Sequence, residues 1–198
     1  RGDAYCKLGE NQPAIQDFDK AIQLDPNFAI AYRNRGDAYC KLGENQRAIQ
    51  DYDKAIQLDP EHANGSATYN SRGLAYHKLD LYQRAIQDFD KLIQLAPGSK
   101  YGYNNRGIAY RSLGQNQRAI QDHDKAIQLD LYFGFAYYHR GIAYRNLGQN
   151  ERAIQDYDQA IRLDPNDASP YASREIAYRN LGKYVEADAD KAKACSLD

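Results

Sequence analysis

The dipeptide Arg-Gly recurs at Arg1-Gly2, Arg35-Gly36, Arg72-Gly73, Arg106-Gly107 and Arg140-Gly141, in steps of 34, 37, 34 and 34 residues. The phrase Ala-Ile-Gln-Asp, beginning at 14, 48, 85, 119 and 153, keeps the same steps. Two unrelated phrases on one period mean that a single structural unit is repeated. A unit this short buries its apolar side only against a neighbour, so the chain must fold by stacking copies. The one step of 37 marks a three-residue insertion around Asn64-Gly65-Ser66, which reads as an exposed loop tip. Those residues also match a glycosylation sequon, which matters only in a secretory pathway.

Within a unit the apolar residues follow helical spacing twice. Tyr32, Tyr39 and Leu42 form one stripe that stops at Gly43, and Ala48, Ile49, Tyr52, Ala55, Ile56 and Leu58 form a second that stops before Pro60. Glycine recurs at the first stop, at Gly9, Gly43, Gly114, Gly148 and Gly182, where a left-handed C-cap is favoured, and Asp80 replaces it once. Proline recurs at the second stop, at Pro26, Pro60, Pro97 and Pro165. No stretch alternates with period two, so the fold class is all-α. A net charge of -1, from 26 basic and 27 acidic residues, is no footprint for wrapping nucleic acid. The longest apolar or aromatic run, residues 131–138, is far short of the ~20 residues a membrane-spanning helix needs.

The pattern Ala31-Tyr32-x-x-Arg35-Gly36-x-x-Tyr39, followed by Ala48, Tyr52, Ala55 and Pro60, resembles the tetratricopeptide repeat, with Tyr in the usual Trp position and Arg where Leu is commoner. With Gly36 as the eighth position, a single array covers 1–198: a partial repeat at 1–28, full repeats at 29–62, 66–99, 100–133 and 134–167, and a short terminal repeat with capping character at 168–198. The resemblance implies a right-handed superhelical solenoid of stacked antiparallel helix pairs.

Of the 18 tyrosines, 13 fall on the fourth, eleventh and twenty-fourth positions, such as Tyr32, Tyr5 and Tyr39, and Tyr52 and Tyr157, where they pack helix on helix. Arginine stands at position seven of every unit, and the first five carry Asp at positions 23 and 25, which predicts a ladder of internal salt bridges. Cys6 and Cys40 share position twelve on stacked helices ~8 to 10 Å apart, too far to pair, and His77 there leaves ligands too dispersed for a metal. His62 reads as a loop residue and His123 as a core substitution. The residues show no catalytic constellation, so neither an enzyme nor a cofactor is expected.

In tetratricopeptide proteins, positions 2, 5, 6, 9, 12 and 13 of the first helix line a concave groove. The resemblance therefore implies a lining here of Arg33, Asn34, Asp37 and Lys41 in the second unit, and of Asn70, Leu74, His77 and Lys78 in the third. Tyr101, Asn104, Asn105, Ile108 and Arg111 follow in the fourth, Phe135, Tyr138, His139, Ile142 and Arg145 in the fifth, and Ile176 and Arg179 in the last. With Lys7 and Asp3 counted, the groove carries +5 in a chain of -1, which points to an acidic ligand. Cations at positions 12 and 13 also sit in the last turn of a helix, where they offset its dipole by ~0.3 to 1 kcal/mol without any ligand. Arginines ~8 to 10 Å apart match acidic side chains about three residues apart on an extended chain.

The family's two-carboxylate clamp for chaperone tails needs Asn at position 9 and Lys at position 2. This chain has Asp37, Leu74, Ile108, Ile142 and Ile176 at position 9, and Ile30, Ala67, Tyr101, Phe135 and Ser169 at position 2, so a complete clamp is not expected. The expected function is a scaffold that holds a peptide or partner segment of another protein in the groove, with no nucleic acid and no membrane. The alternatives are a module that self-associates end to end and the recruiting arm of a larger enzyme. A start at Arg1 without Met reads as part of a longer protein, and with no leader visible a cytoplasmic location is expected.

Overall fold

The two apolar stripes of each unit form two helices, and glycine forms the turn between them. The computed structural model of the chain describes residue 2 and residues 10–60 and 63–197. Asp3, Tyr5, Cys6, Lys7, Gly9 and His62 lie outside the described residues. The described residues contain no strand. The first compact unit, Arg1–Pro97, contains α1 (Asn11–Leu24), α2 (Ala29–Lys41), α3 (Asn45–Leu58), α4 (Ala63–Lys78) and α5 (Tyr82–Leu95). The second, Gly98–Asp198, contains α6 (Lys100–Ser112), α7 (Asn116–Leu129), α8 (Gly134–Asn146), α9 (Asn150–Leu163), α10 (Ala168–Asn180) and α11 (Tyr184–Leu197). Within each unit every helix packs on the next, and the first helices of neighbouring repeats also touch, α2 on α4, α6 on α8 and α8 on α10. The fold is thus an all-α solenoid of stacked helix pairs. Among the described residues no helix is long and apolar enough to cross a membrane.

The turns explain the first glycine. Gly43 has φ 79°, Gly114 73°, Gly148 74° and Gly182 73°, and Asp80 reaches φ 58° in the same role. A Cβ at Gly43 would meet nothing within 4 Å, so what selects glycine there is backbone conformation and not space. The glycine at position eight has the opposite reason. A Cβ on Gly36 would lie 2.7 Å from the Tyr52 ring, and one on Gly141 2.7 Å from the Tyr157 ring. Those rings sit between the two helices of a repeat and are fully buried, as are Phe89 and His123 at the same position. Around them close Ala38, Ala48, Ile49 and Ala75 in the first unit, and Ala119, Ile120, Ala143, Ala153 and Ala177 in the second.

The predicted salt-bridge ladder is present. Arg35 donates from Nε and Nη2 to both oxygens of Asp51, at 2.7 and 2.6 Å, and from Nη1 to Asp19 of the preceding repeat at 2.6 Å. Arg72 repeats this with Asp88 and Asp53, Arg140 with Asp156 and Asp124, and Arg174 with Asp190 and Asp158. Arg106 takes Asp122 in the same two-point grip. Arg72, Arg106, Arg140 and Arg174 also lie over the tyrosine rings of positions four and eleven, as Arg140 does over Tyr137 and Tyr144, and Arg35 lies over Tyr32. The doubly held Asp is buried and the bridging one about half exposed, 6% against 51% for Asp156 and Asp124. Removing a partner from the first pair therefore costs far more than removing one from the second.

The insertion at 64–66 is not a loop tip. α4 begins at Ala63 and runs 16 residues, against 13 for α2, α6, α8 and α10. Three added residues are close to one helical turn of 3.6, so they extend the helix without moving its buried face out of phase. The extra residues also explain why Asp53 precedes Arg72 by 19 positions while Asp19 precedes Arg35 by 16.

Candidate functional site

In the first unit, α2 and α4 lie side by side and α3 closes the floor between them. The result is a cavity of about 580 Å³. Arg33, Asn34, Asp37 and Lys41 line it from α2, and Leu74 and Lys78 from α4, so six residues named from the repeat pattern come together. Asn70 and His77, also on α4, are not part of that lining, and the His77 ring packs on Tyr82 at 5.1 Å. Ser71 and Cys40 complete the wall. They occupy positions 6 and 12, so the groove positions themselves were the signal for them.

The floor is Tyr52, assigned from sequence to the core. Its ring is core, but its hydroxyl reaches the cavity and donates to Asp37 Oδ1 at 2.7 Å. Burial, reinforced by the Asp37 charge, pushes the phenol far above the ordinary tyrosine range, so it stays protonated and able to donate. Burial also pushes the Cys40 thiol up, which keeps it protonated and unreactive. The Asp37 carboxylate is thereby engaged within the chain, and the other charges on the wall, Arg33, Lys41 and Lys78, are all positive.

The second unit differs. A cleft of about 330 Å³ opens beside the N-terminal ends of α8 and α10, lined by Tyr101, Phe135 and Tyr138 as expected and by Tyr132, Phe133 and Leu163 as not expected, with Asp164 and Asp167 of the next turn on its rim. Phe133 meets Tyr101 edge on at 5.4 Å and Phe135 at 6.0 Å. Tyr132 is 82% exposed and Phe135 63%, while Phe133 between them is buried in a core with Ala126, Ile127 and Ala136, so the exposed rings extend that core to the surface. The unexpected residues come from the α7 to α8 turn and the end of α9, outside the first-helix positions, so the repeat pattern carried no signal for them.

Further along α6 and α8 lie Asn104, Asn105, Ile108 and Arg111, then His139, Ile142 and Arg145, with Ile176 and Arg179 on α10. Asn104 is buried, and its Nδ2 reaches Asn105 Oδ1 at 3.5 Å. His139 stacks on the buried His123 at 5.9 Å. Burial drives the His123 pKa well below the usual histidine value, helped by His139, Arg111 and Arg140, so the ring is neutral. Arg179 is held by Glu175 and, at 2.8 Å, by Asp188, which neutralises the last cation of the row.

Family models match most of the chain. A TPR repeat model matches residues 2–43, a tetratricopeptide repeat model matches 29–62, 101–131 and 135–167, and a further one matches 66–99. Among solved structures, a MamA protein is 29% identical over 85% of this chain and 91% of that one, with a TM-score of 0.72. A tetratricopeptide repeat protein from Parabacteroides merdae ATCC 43184 is 25% identical over 99% of this chain and 75% of that one, with a TM-score of 0.78. YrrB, described as a TPR protein with an unusual peptide-binding site, is 23% identical over 91% and 92%, with a TM-score of 0.68. Comparison with curated protein sequences finds no match.

Proposed function

Because the chain belongs to the tetratricopeptide-repeat family, we propose that it is a protein-protein interaction scaffold whose first-helix grooves hold an acidic peptide segment of a partner. The observation that carries this reading is the first-unit cavity. Three cations face it, and the one carboxylate on its wall already accepts a hydroxyl. Helix-dipole compensation accounts for Lys41 and Lys78, which lie in last turns. It does not account for Arg33, which lies two turns upstream of the end of α2. Leu74 and the Tyr52 floor supply apolar surface between the charges, which suits a peptide of mixed character. The role is binding and not catalysis.

The test is fluorescence anisotropy with a labelled (Glu-Ala-Ala)5 peptide and its (Gln-Ala-Ala)5 counterpart. The Glu peptide is expected to bind, more weakly as salt rises, and the double variant Arg33→Glu, Lys78→Glu to lose it. Equal binding of both peptides, or none of either, overturns the reading.

A further inference from the structure

The residue at position 24 reaches from the second helix of a repeat toward the groove, and the chain carries it in several chemical forms. Phe18 and Phe89 have no polar atom there, so packing does not require one. Tyr52 has a hydroxyl, and Asp37, at position 9 of the same repeat, satisfies it. Tyr157 has the same hydroxyl and no partner for it. The reason is local. Position 9 of its repeat is Ile142, and no carboxylate projects from α8 in the place of Asp37. The Tyr157 side chain is fully buried, and a buried hydroxyl left without a partner destabilises the fold that contains it. Phenylalanine would avoid that loss, so the hydroxyl needs a reason other than packing.

Two cations stand near it, and a carboxylate near it, Asp156, is already held by Arg140. Tyr138, Ile142 and Arg145 follow one face of α8 at helical spacing, and Tyr138 and Ile142 pack on the same core as Tyr157. Arg145 has no carboxylate partner among the described residues, and Arg111 stands at the equivalent position of α6. Both arginines are near enough to oppose the rise that burial imposes on the Tyr157 phenol. Beside it lies Tyr138, a partly exposed ring 6.2 Å from the Tyr157 ring that also borders the cleft of the second unit.

We propose that Tyr157 Oη, with Arg145 and Arg111, receives an aspartate or glutamate carboxylate of the bound peptide, once the Tyr138 ring turns aside, in the role that Asp37 plays for Tyr52. The assignment rests on the acidic-ligand reading and deepens it. The first unit supplies its own carboxylate, and the second takes one from the partner. The hydroxyl donates to the ligand carboxylate, the arginines neutralise it, and Ile142 excludes water beside it.

Two variants test this without endangering the fold, because the chain already uses both residues at the positions concerned. Tyr157→Phe copies Phe89, and Ile142→Asp copies Asp37. Isothermal titration of the full chain with the (Glu-Ala-Ala)5 and (Gln-Ala-Ala)5 peptides is the readout. The wild type is expected to prefer the Glu peptide. Tyr157→Phe is expected to weaken that peptide about tenfold, as for loss of a hydrogen bond to a charged group, and to leave the Gln peptide unchanged. Ile142→Asp, which fills the site from within, is expected to weaken it at least as much while raising the midpoint of thermal unfolding. Glu-peptide binding that survives both variants unchanged overturns the site and leaves the acidic-groove reading standing. A wild type that binds neither peptide, or both equally, overturns both.

Discussion

The two units share one architecture and differ in how they complete their grooves. In the first, the position-24 hydroxyl meets a carboxylate of its own repeat, and the cavity above it is lined by charge. In the second, position 24 carries Tyr157 and His123, whose polar atoms have no partner, and the neighbouring cleft combines aromatic rings with Asp164 and Asp167. What separates the repeat of Tyr52 from that of Tyr157 is a single register position, nine, which is Asp37 in one and Ile142 in the other. A repeat fold therefore keeps its frame constant while one side chain per copy decides whether the groove is satisfied from within or open to a partner.

The contrast makes predictions of decreasing size. The frame is common to both units, so Arg72→Met and Arg140→Met, which strand a buried carboxylate in each, should cost similar amounts, about 3 to 5 kcal/mol in urea unfolding. A large inequality would show that the ladder is not equivalent in the two units. The grooves should respond differently: Asp37→Ala leaves the Tyr52 hydroxyl without its acceptor and should cost about 1 to 3 kcal/mol, recovered in part by adding Tyr52→Phe. Tyr157→Phe, where there is no acceptor to lose, should be neutral or stabilising by the same measurement.

Next comes pH. His123 is neutral in the fold with its pKa lowered below 6.5, so its contribution is fully present above that value. The unfolded chain takes up the proton first as pH falls, and stability should decline below 6.5 with a slope of up to about 1.4 kcal/mol per pH unit. His123→Phe, which copies Phe89, should abolish that slope in thermal melts between pH 5 and 7. The smallest effect is expected from Asp53→Asn, which removes only the exposed arm of a ladder step and should change stability by no more than about 1 kcal/mol.

Much of this was legible in the sequence because the repeat measures it many times. Five copies of one spacing establish helix, turn and helix. Gly43 and Gly36 announce a turn and a close contact, and the Arg and Asp positions predict the ladder that Arg35, Asp19 and Asp51 form. What the sequence left out occurs once or lies outside the averaged pattern. The insertion at 64–66 looked like a loop because Asn, Gly and Ser favour turns, yet three residues nearly complete a turn of helix and α4 absorbed them. The aromatic cleft draws on Tyr132 and Phe133, in a connection that the pattern treats as filler. Tyr52 was assigned to packing alone because hydropathy describes a whole side chain, whereas its ring and its hydroxyl do separate things. Arg179 looked like a groove cation until Glu175 and Asp188 were seen to hold it.

The ladder has a consequence for how such a chain changes over generations. The guanidinium groups of Arg35, Arg72, Arg140 and Arg174 each take one carboxylate from their own repeat and the other from the repeat before. Cutting out or copying a whole 34-residue block away from the insertion at 64–66 rejoins an arginine to an upstream and a downstream aspartate at the old spacing. Residues 1–26 and 35–60, identical at 24 of 26 positions, are what a recent copying event of this kind leaves behind. The gene can lengthen or shorten its groove by recombination between near-identical stretches without redesigning a single junction. Point changes at position nine can then give each new copy its own chemistry.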